Sequence, residues 1–177
     1  MEIFLYVIIG IALIIVILGL IAPKGYEVNR SIIINKGLHD TFQYLKFFRN
    51  QDQWSPWKKK DPKMIQTYDG VDGEVGFVCR WLGNKEVGEG EQEILSIIEN
   101  ESIDTQLRFL KPWKSESIGH LVVDKVDEGH TMVTWGFTGK NKFPISIFML
   151  FMNMDKAVGK DFEEGLSNLK QVLEQKE

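Results

Sequence analysis

The chain has 177 residues, a formal net charge of −4 and 44% hydrophobic residues. This acidic balance argues against a general nucleic-acid binder, which needs a basic face, so we predict no nucleic-acid partner. The single cysteine, Cys79, excludes an intramolecular disulfide and a cysteine cluster for a metal. The three histidines, His39, His120 and His130, are scattered, and no phosphate-binding glycine loop is present. The sequence therefore predicts neither a metal nor a cofactor.

The first feature of the chain is an uncharged, strongly apolar run from Ile3 to Ala22. About 20 residues at a helical rise of about 1.5 Å span about 30 Å, the thickness of the hydrocarbon core of a bilayer. We therefore predict a single-pass transmembrane helix and assign residues 1–23 as a membrane anchor. A cleaved signal peptide is the alternative, but Glu2 stands where a basic n-region is expected, and Pro23 stands where cleavage would have to occur.

Positive charge is concentrated on the C-terminal side of this run, at Lys24, Arg30 and Lys36. The positive-inside rule then predicts that the rest of the chain faces the cytoplasm. Residues 24–177 have the size of one ordinary domain, and nothing after the short break at residues 23–25 resembles a linker. We therefore predict one water-soluble domain held at the membrane.

The domain begins with a predicted strand, Tyr26 to Asn35, and a short amphipathic helix, Leu38 to Phe48. Asn50 to Lys60, aromatic and polar with Pro56 inside it, predicts a loop or a broken helix. Six further strands follow between turn residues: Met64 to Tyr68, Val75 to Leu82, Gly88 to Glu99, Ile103 to Leu110, Ser115 to Val126 and Thr131 to Thr138. Their connections are too short for crossover helices, which predicts antiparallel pairing.

The chain ends with apolar residues at helical spacing from Pro144 to about Glu174. This pattern predicts one helix of about 30 residues, roughly 45 Å long. A helix of that length must lie across a whole sheet. The order of elements therefore predicts an α+β fold, with a curved antiparallel sheet of about seven strands packed around a long C-terminal helix.

Several short motifs occur along the domain in a familiar order. They are Trp54-Ser55-Pro56-Trp57, Tyr68-Asp69-Gly70 with Gly73-Glu74-Val75-Gly76, Gly88-Glu89-Gly90, Thr131-Met132-Val133-Thr134-Trp135, and Gly159-Lys160-Asp161-Phe162-Glu163-Glu164-Gly165-Leu166 with Asn168-Leu169-Lys170. With them, the chain from about Tyr26 to Leu173 resembles the helix-grip, START-like superfamily (SRPBCC), in its polyketide cyclase/dehydrase-like branch. The resemblance implies a seven-stranded sheet gripping the last helix, with a deep cavity for lipids, sterols, polyketides or other apolar molecules. Members include carriers, sensors and cyclases, so the fold does not fix the function.

Alternation along the strands places rows of side chains on one face, where they can line such a cavity together with the last helix. The candidates are Phe77, Cys79, Trp81, Gln92, Thr105, Leu107, Phe109, Val133, Trp135, Phe137, Phe151, Met154 and Val158. The alternative for any one of them is simple core filling, because every half-buried strand alternates in this way. An inward Gln92 either orients a ligand or satisfies a backbone group.

Two surface features each have two interpretations. The loop around Trp54 and Trp57 is followed by four lysines, Lys58, Lys59, Lys60 and Lys63. It either rests on anionic headgroups or is a solvated loop whose tryptophans pack on the core. The start of the last helix is apolar nearly all round, at Phe148, Met149 and Met152. One interpretation is that these residues form a pocket lid or an exposed apolar patch. The other is that they are simply buried beneath a loop.

The combined pattern predicts membrane-anchored binding of a hydrophobic small molecule or lipid, without catalysis. One alternative is an enzyme of the cyclase or dehydrase type, which needs an acid/base pair facing the cavity. Gln92 and Thr105 are poor acids and bases, and Arg80 and Arg108 have the opposite strand parity. The other alternative is a membrane-linked interaction module.

Overall fold

A computed structural model describes residues 2–175 of the chain. The helices are α1 (Glu2–Ile21), α2 (Leu38–Lys46), α3 (Pro56–Lys60), α4 (Ile145–Phe148) and α5 (Met154–Gln175), and a 3₁₀ helix spans Phe48–Gln53. The strands are β1 (Gly25–Ile34), β2 (Ile65–Asp69), β3 (Val78–Leu82), β4 (Glu89–Ile98), β5 (Ser102–Lys111), β6 (Ser115–Lys125) and β7 (Thr131–Lys140).

The strands form one seven-stranded sheet in the order β1-β7-β6-β5-β4-β3-β2. Every neighbouring pair is antiparallel. Strands β2 to β7 form a meander, and β1 joins it beside β7 at the end of the order. The predicted α+β fold, with its seven strands, its long C-terminal helix and its N-terminal apolar helix, is confirmed.

The strand register aligns inward-facing side chains into rows that cross the sheet. One row joins Cys79 to Gln92, Gln92 to Leu107 and Leu107 to Ser117. Because side chains alternate between the two faces of a strand, this alignment fixes which residues share the face covered by α5.

Helix α5 packs its apolar stripe on this face, mainly over β1. Phe162, Leu166, Leu169 and Leu173 are each no more than 3% exposed. Burying side chains of this size stabilises the fold by about 1.5–3 kcal/mol each. Gly165 allows the close approach, because a Cβ there would stand 2.5 Å from the indole ring of Trp135.

The prediction of one continuous C-terminal helix from Pro144 is wrong, because α5 has 22 residues and begins at Met154. The side-chain Oδ1 of Asn153 accepts a hydrogen bond of 3.0 Å from the backbone N–H of Lys156, which caps a new helix. Upstream, the backbone makes bonds between residues three apart, such as Leu150 N–H to Ile147 O at 3.2 Å. This pattern is a series of tight turns around α4 and does not extend as an α-helix.

One further boundary differs from the sequence pattern, and one region agrees with it. Strand β3 begins at Val78, three residues after the predicted Val75, because Gly76 has a φ of +89° that interrupts the extended chain. Residues 48–60 form the 3₁₀ helix and α3, which is the broken helix that Pro56 predicts.

Helix α1 is long enough and apolar enough to cross a membrane, and none of its Ile3–Ile21 stretch is buried in the protein. A stretch of this composition leaves a large apolar surface uncovered by the domain. Its location in a membrane, and the division of the chain after residue 23, stay predictions.

Candidate functional site: a cavity between the sheet and the last helix

A cavity of about 480 Å³ lies between the sheet and α5. This volume is within the range of about 300–1,000 Å³ that small-molecule sites occupy. Aromatic rings supply much of its wall, from Tyr26, Phe48, Trp57, Trp81, Phe109, Trp113, Trp135, Phe137 and Phe162. The cavity therefore suits a molecule with a large apolar surface.

Ten of the thirteen side chains predicted for this wall lie along it. They are Cys79, Trp81, Gln92, Thr105, Leu107, Phe109, Trp135, Phe137, Met154 and Val158. Strand parity and the register of β3 to β7 bring the eight strand residues together, and α5 contributes Met154 and Val158. Their contact with a ligand stays a prediction.

The other three predicted residues lie outside the cavity. Phe77 is fully buried in the core, where its ring packs on Phe48 at 6.2 Å and on Tyr68 at 5.9 Å. Val133 is likewise fully buried in the core. Phe151 is 84% exposed, because the helical stripe that we extended to it does not begin until Met154.

The centre of the wall is an aromatic cluster around Trp135. The ring centroid of Trp135 lies 4.7 Å from that of Trp54, 5.4 Å from that of Trp57 and 4.5 Å from that of Phe162, all in edge-to-face geometry. Such pairs add about 0.5–1.5 kcal/mol beyond the area they bury. The cluster holds α3 and α5 against β7 and gives the cavity a rigid apolar side.

The inward polar pair on the sheet is satisfied within the protein. The Gln92 Nε2 amide donates to Thr105 Oγ1 at 3.1 Å, and the Thr105 hydroxyl donates to the backbone oxygen of Gly119 at 3.3 Å. Gln92 is therefore held by a side chain and not by a backbone group. This chain fixes the orientation of its amide at the cavity wall.

A polar wall that the sequence pattern missed comes from Asp52, Lys58 and Gln66, all of which line the cavity. Gln66 Nε2 donates to Asp52 Oδ1 at 2.9 Å, and Lys58 Nζ donates to Gln66 Oε1 at 2.7 Å. The Gln51 Nε2 amide on the same wall is buried without a hydrogen-bond partner among the described residues. These groups come from the 3₁₀ helix, α3 and β2, so no local spacing joins them. The tryptophans at 54 and 57 were the available signal, because they predict that this loop faces the core.

Burial, with a smaller contribution from the nearby Asp52 carboxylate, raises the pKa of the Cys79 thiol to about 11. The thiol is therefore protonated at neutral pH and is a weak nucleophile. Cys79 contributes to the wall as a small, polarisable side chain.

Three of the lysines that follow Trp57, namely Lys58, Lys59 and Lys60, contact the protein itself. Lys60 Nζ lies 2.7 Å from Asp161 Oδ1, and Lys59 Nζ lies 2.9 Å from Asn168 Oδ1. Trp54 is 1% exposed. These contacts fit a loop that packs on the core and on α5.

The arginines on the neighbouring strands lie away from the cavity, as their parity predicts. Arg108 Nη1 lies 2.9 Å from Glu91 Oε1, and Arg80 Nε lies 3.1 Å from Glu91 Oε2. Neither arginine lines the cavity. They form a partly solvated ion-pair network on the other face of the sheet.

The seven-stranded sheet that grips one long helix decides the architecture. The fold is a helix-grip fold. No protein-family model and no curated protein matches this sequence. Similarity to solved structures is present, at low sequence identity.

Three solved structures illustrate that similarity. A protein from Thermobifida fusca matches with a TM-score of 0.61 at 17% identity, over 81% of this chain and 90% of that one. The Aha1 dimer from Colwellia psychrerythraea matches with a TM-score of 0.52 at 20% identity, over 84% and 96%. The di-domain ARO/CYC StfQ from the steffimycin biosynthetic pathway matches with a TM-score of 0.61 at 10% identity, over 86% of this chain and 51% of that one. At these identities the likeness concerns the fold.

Proposed function

We propose that the protein binds a hydrophobic small molecule or lipid in the cavity, while α1 holds the domain at the cytoplasmic face of a membrane. The observation that carries this proposal is the cavity of about 480 Å³ with its largely aromatic and aliphatic wall. A mostly apolar pocket with a few placed polar groups is the usual form of a small-molecule site.

The polar wall gives the proposed ligand a defined orientation. Asp52, Lys58 and Gln66 occupy one part of the lining, and Gln51 offers a buried amide donor that has no partner within residues 2–175. Leaving a buried donor unpaired destabilises the folded protein by about 1–3 kcal/mol, so a ligand that places an acceptor there is favoured. The proposed ligand is therefore an amphiphile, with a polar head at this wall and an apolar body against Trp135 and Phe137.

The anchor supports the proposal through local concentration. Apolar ligands partition into a bilayer, and a domain tethered to that bilayer encounters them at high effective concentration. The exposed apolar surface of α1 and the lysine that follows it, Lys24, fit this arrangement.

The test is native mass spectrometry of the full-length protein released from detergent micelles. Val158, on the cavity side of α5, and the exposed Ala157 beside it provide a matched pair of positions. Val158→Trp fills the cavity and is expected to abolish one tightly bound molecule, whereas Ala157→Trp is expected to retain it. Lipids that surround α1 are lost or retained equally in both variants.

A native protein that carries no such molecule, or equal occupancy in both tryptophan variants, would contradict binding in the cavity. An empty cavity in the native protein would favour the interaction module instead.

The second candidate function is a cyclase- or dehydrase-type enzyme, and the polar wall is the observation that favours it. Lys58 Nζ stands 4.0 Å from Asp52 Oδ2 at the cavity surface, which gives a carboxylate and an ammonium group within reach of one ligand. If Asp52 catalyses a dehydration, the molecule extracted from Asp52→Asn is expected to be heavier by one water than that extracted from the native protein. The same mass from both would contradict this function.

A further inference from the structure

Residues 142–153, called the apolar segment here, join β7 to α5 and expose apolar side chains to an unusual degree. The exposed fraction is 65% for Phe143, 68% for Phe148 and 84% for Phe151. Ile145 and Met152 are about half exposed. Contiguous exposed apolar groups on a folded domain mark a contact surface, because water is a poor solvent for them.

The apolar segment begins where α1 meets the domain. A Cβ on Gly19 of α1 would lie 3.3 Å from the ring of Phe143. The Asn141 side chain donates to the backbone oxygen of Pro23 at 3.1 Å, and its backbone N–H donates to Lys24 O at 2.9 Å. Lipid that contacts α1 would therefore also reach the apolar segment.

The cavity reaches the same end of the sheet. The register pairs Gly25, at the start of β1, with Lys140, at the end of β7. Ser117 pairs with the adjacent Gly139, which places the β5–β6 turn at this end as well. That turn carries Trp113, which lines the cavity while 79% of it is exposed. The anchor, the apolar segment and the exposed rim of the cavity thus lie together.

The apolar segment and its immediate flanks carry a charge that is complementary to anionic headgroups. Lys24, Lys140 and Lys142 are exposed, and residues 131–154 contain no carboxylate. Basic residues beside exposed Phe, Ile and Met side chains are the composition of a segment that lies in the plane of a membrane interface.

We propose that the apolar segment inserts into the boundary between headgroups and acyl chains, beside α1, and thereby holds the cavity rim against the bilayer. This inference rests on the membrane anchoring in the proposed function and deepens it. A ligand then passes from the acyl-chain region to the cavity past Trp113 without crossing bulk water.

The test uses the full-length protein in vesicles of equimolar phosphatidylcholine and phosphatidylglycerol, in a Cys79→Ser background. Phe151→Cys carries an environment-sensitive fluorophore in the apolar segment. Val126→Cys is the matched control, since Val126 is exposed and apolar but lies in the β6–β7 turn at the opposite end of the sheet. Nitroxide groups on shallow acyl carbons are expected to quench the fluorophore at position 151 at least several times more strongly than the one at position 126.

Ile11→Cys separates failure of this inference from failure of the anchor. Nitroxides on deep acyl carbons quench a fluorophore at position 11 if α1 spans the bilayer. Quenching at position 11 with none at position 151 overturns the insertion of the apolar segment and leaves the anchor intact. No quenching at position 11 overturns both.

Loading kinetics test the role of the segment at the rim. In the native background, the triple variant Phe143→Ser, Phe148→Ser, Phe151→Ser is expected to take up a fluorescent fatty acid from vesicles several times more slowly than the native protein. Uptake of the same fatty acid from detergent micelles is expected to be unchanged. Equal uptake from vesicles, or an equal loss from both sources, would contradict the proposal.

Discussion

Residues 142–153 and α5 are both rich in apolar side chains, yet one stretch is largely exposed and the other is packed. Leu169 of α5 is fully buried, whereas Phe148, only 21 positions upstream, is 68% exposed. The hydrophobic effect favours any removal of apolar surface from water and does not specify which partner covers it. An apolar stripe therefore identifies a surface to be covered, while the neighbouring elements decide what covers it.

The packed stretch is held by specific partners on β1. Arg30 Nη1 lies 2.7 Å from Asp155 Oδ1, and Arg30 Nε lies 2.6 Å from Glu163 Oε1. Gly159 lies between these carboxylates along the helix, and a Cβ there would collide with the Arg30 guanidinium. The apolar segment, by contrast, leaves the rings of Phe143, Phe148 and Phe151 exposed.

The largest expected contrast between the two stretches is in stability. Leu169→Ala is expected to lower the free energy of unfolding by about 2–5 kcal/mol, because it leaves a cavity in the core. Phe148→Ala is expected to change it by less than about 0.5 kcal/mol, because the ring is mostly exposed. Urea titration of the full-length protein in nonionic detergent, followed by tryptophan fluorescence, measures both. Similar losses of stability from the two variants would contradict the exposure of Phe148.

The next contrast is in thiol reactivity. With a pKa of about 11 against an ordinary value of 9.0, Cys79 is expected to react with iodoacetamide at pH 8 about a hundredfold more slowly than an exposed cysteine. Its rate is expected to rise about tenfold per pH unit until the pH reaches that pKa. A cysteine placed at Val126, exposed in the β6–β7 turn away from the apolar segment, supplies the reference, and mass spectrometry of the two labelled peptides gives both rates. Equal rates at pH 8 would contradict a buried thiol.

A smaller effect is expected at the boundary between the two stretches. Asn153→Ala is expected to lower the free energy of unfolding by about 1 kcal/mol, because the Lys156 N–H loses its cap. Asn153→Asp retains the acceptor and is the matched control. The same urea titration measures both variants. An Asn153→Ala protein as stable as the native one would show that the Asn153 side chain does not stabilise the start of α5.

The smallest expected effect is the pH dependence of the first turn of α5. The Arg30 guanidinium holds the pKa of the Asp155 carboxyl below its ordinary value. Because the folded-state pKa is lowered, the stabilisation is complete above the unfolded value of about 3.9 and is lost as the pH falls through the folded value.

Carbon-13 NMR of the Asp155 carboxyl is expected to show a midpoint below about 3.9, which moves up in Arg30→Met. An unchanged midpoint in that variant would contradict the pairing.

Much of the cavity wall follows from strand periodicity. Trp81, Leu107 and Phe137 were predicted to face one side because alternate residues of a strand share a face, and the register aligned their strands. Phe77 and Val133 share that parity but lie in the closed core, because parity does not determine how far along the sheet the cavity extends.

The polar wall could not be predicted from spacing. Asp52 and Gln66 are 14 residues apart and meet only because the 3₁₀ helix and α3 fold back over the edge of the sheet. The start of the last helix shows the same limit. Pro144 suits a helical first turn, but Asn153 caps a separate helix that begins at Met154.

The apolar helix, the seven strands and the helical stripe from Met154 onward could be predicted from the sequence, because they depend on local composition and on periods of two and 3.6 residues. The packing of the folded chain sets which apolar residues enclose the cavity, which polar groups meet at its wall, and that Phe143, Phe148 and Phe151 stay exposed. Those outcomes depend on contacts between residues far apart in the chain. The free energy of such contacts is set by the partner surface as much as by the residue itself.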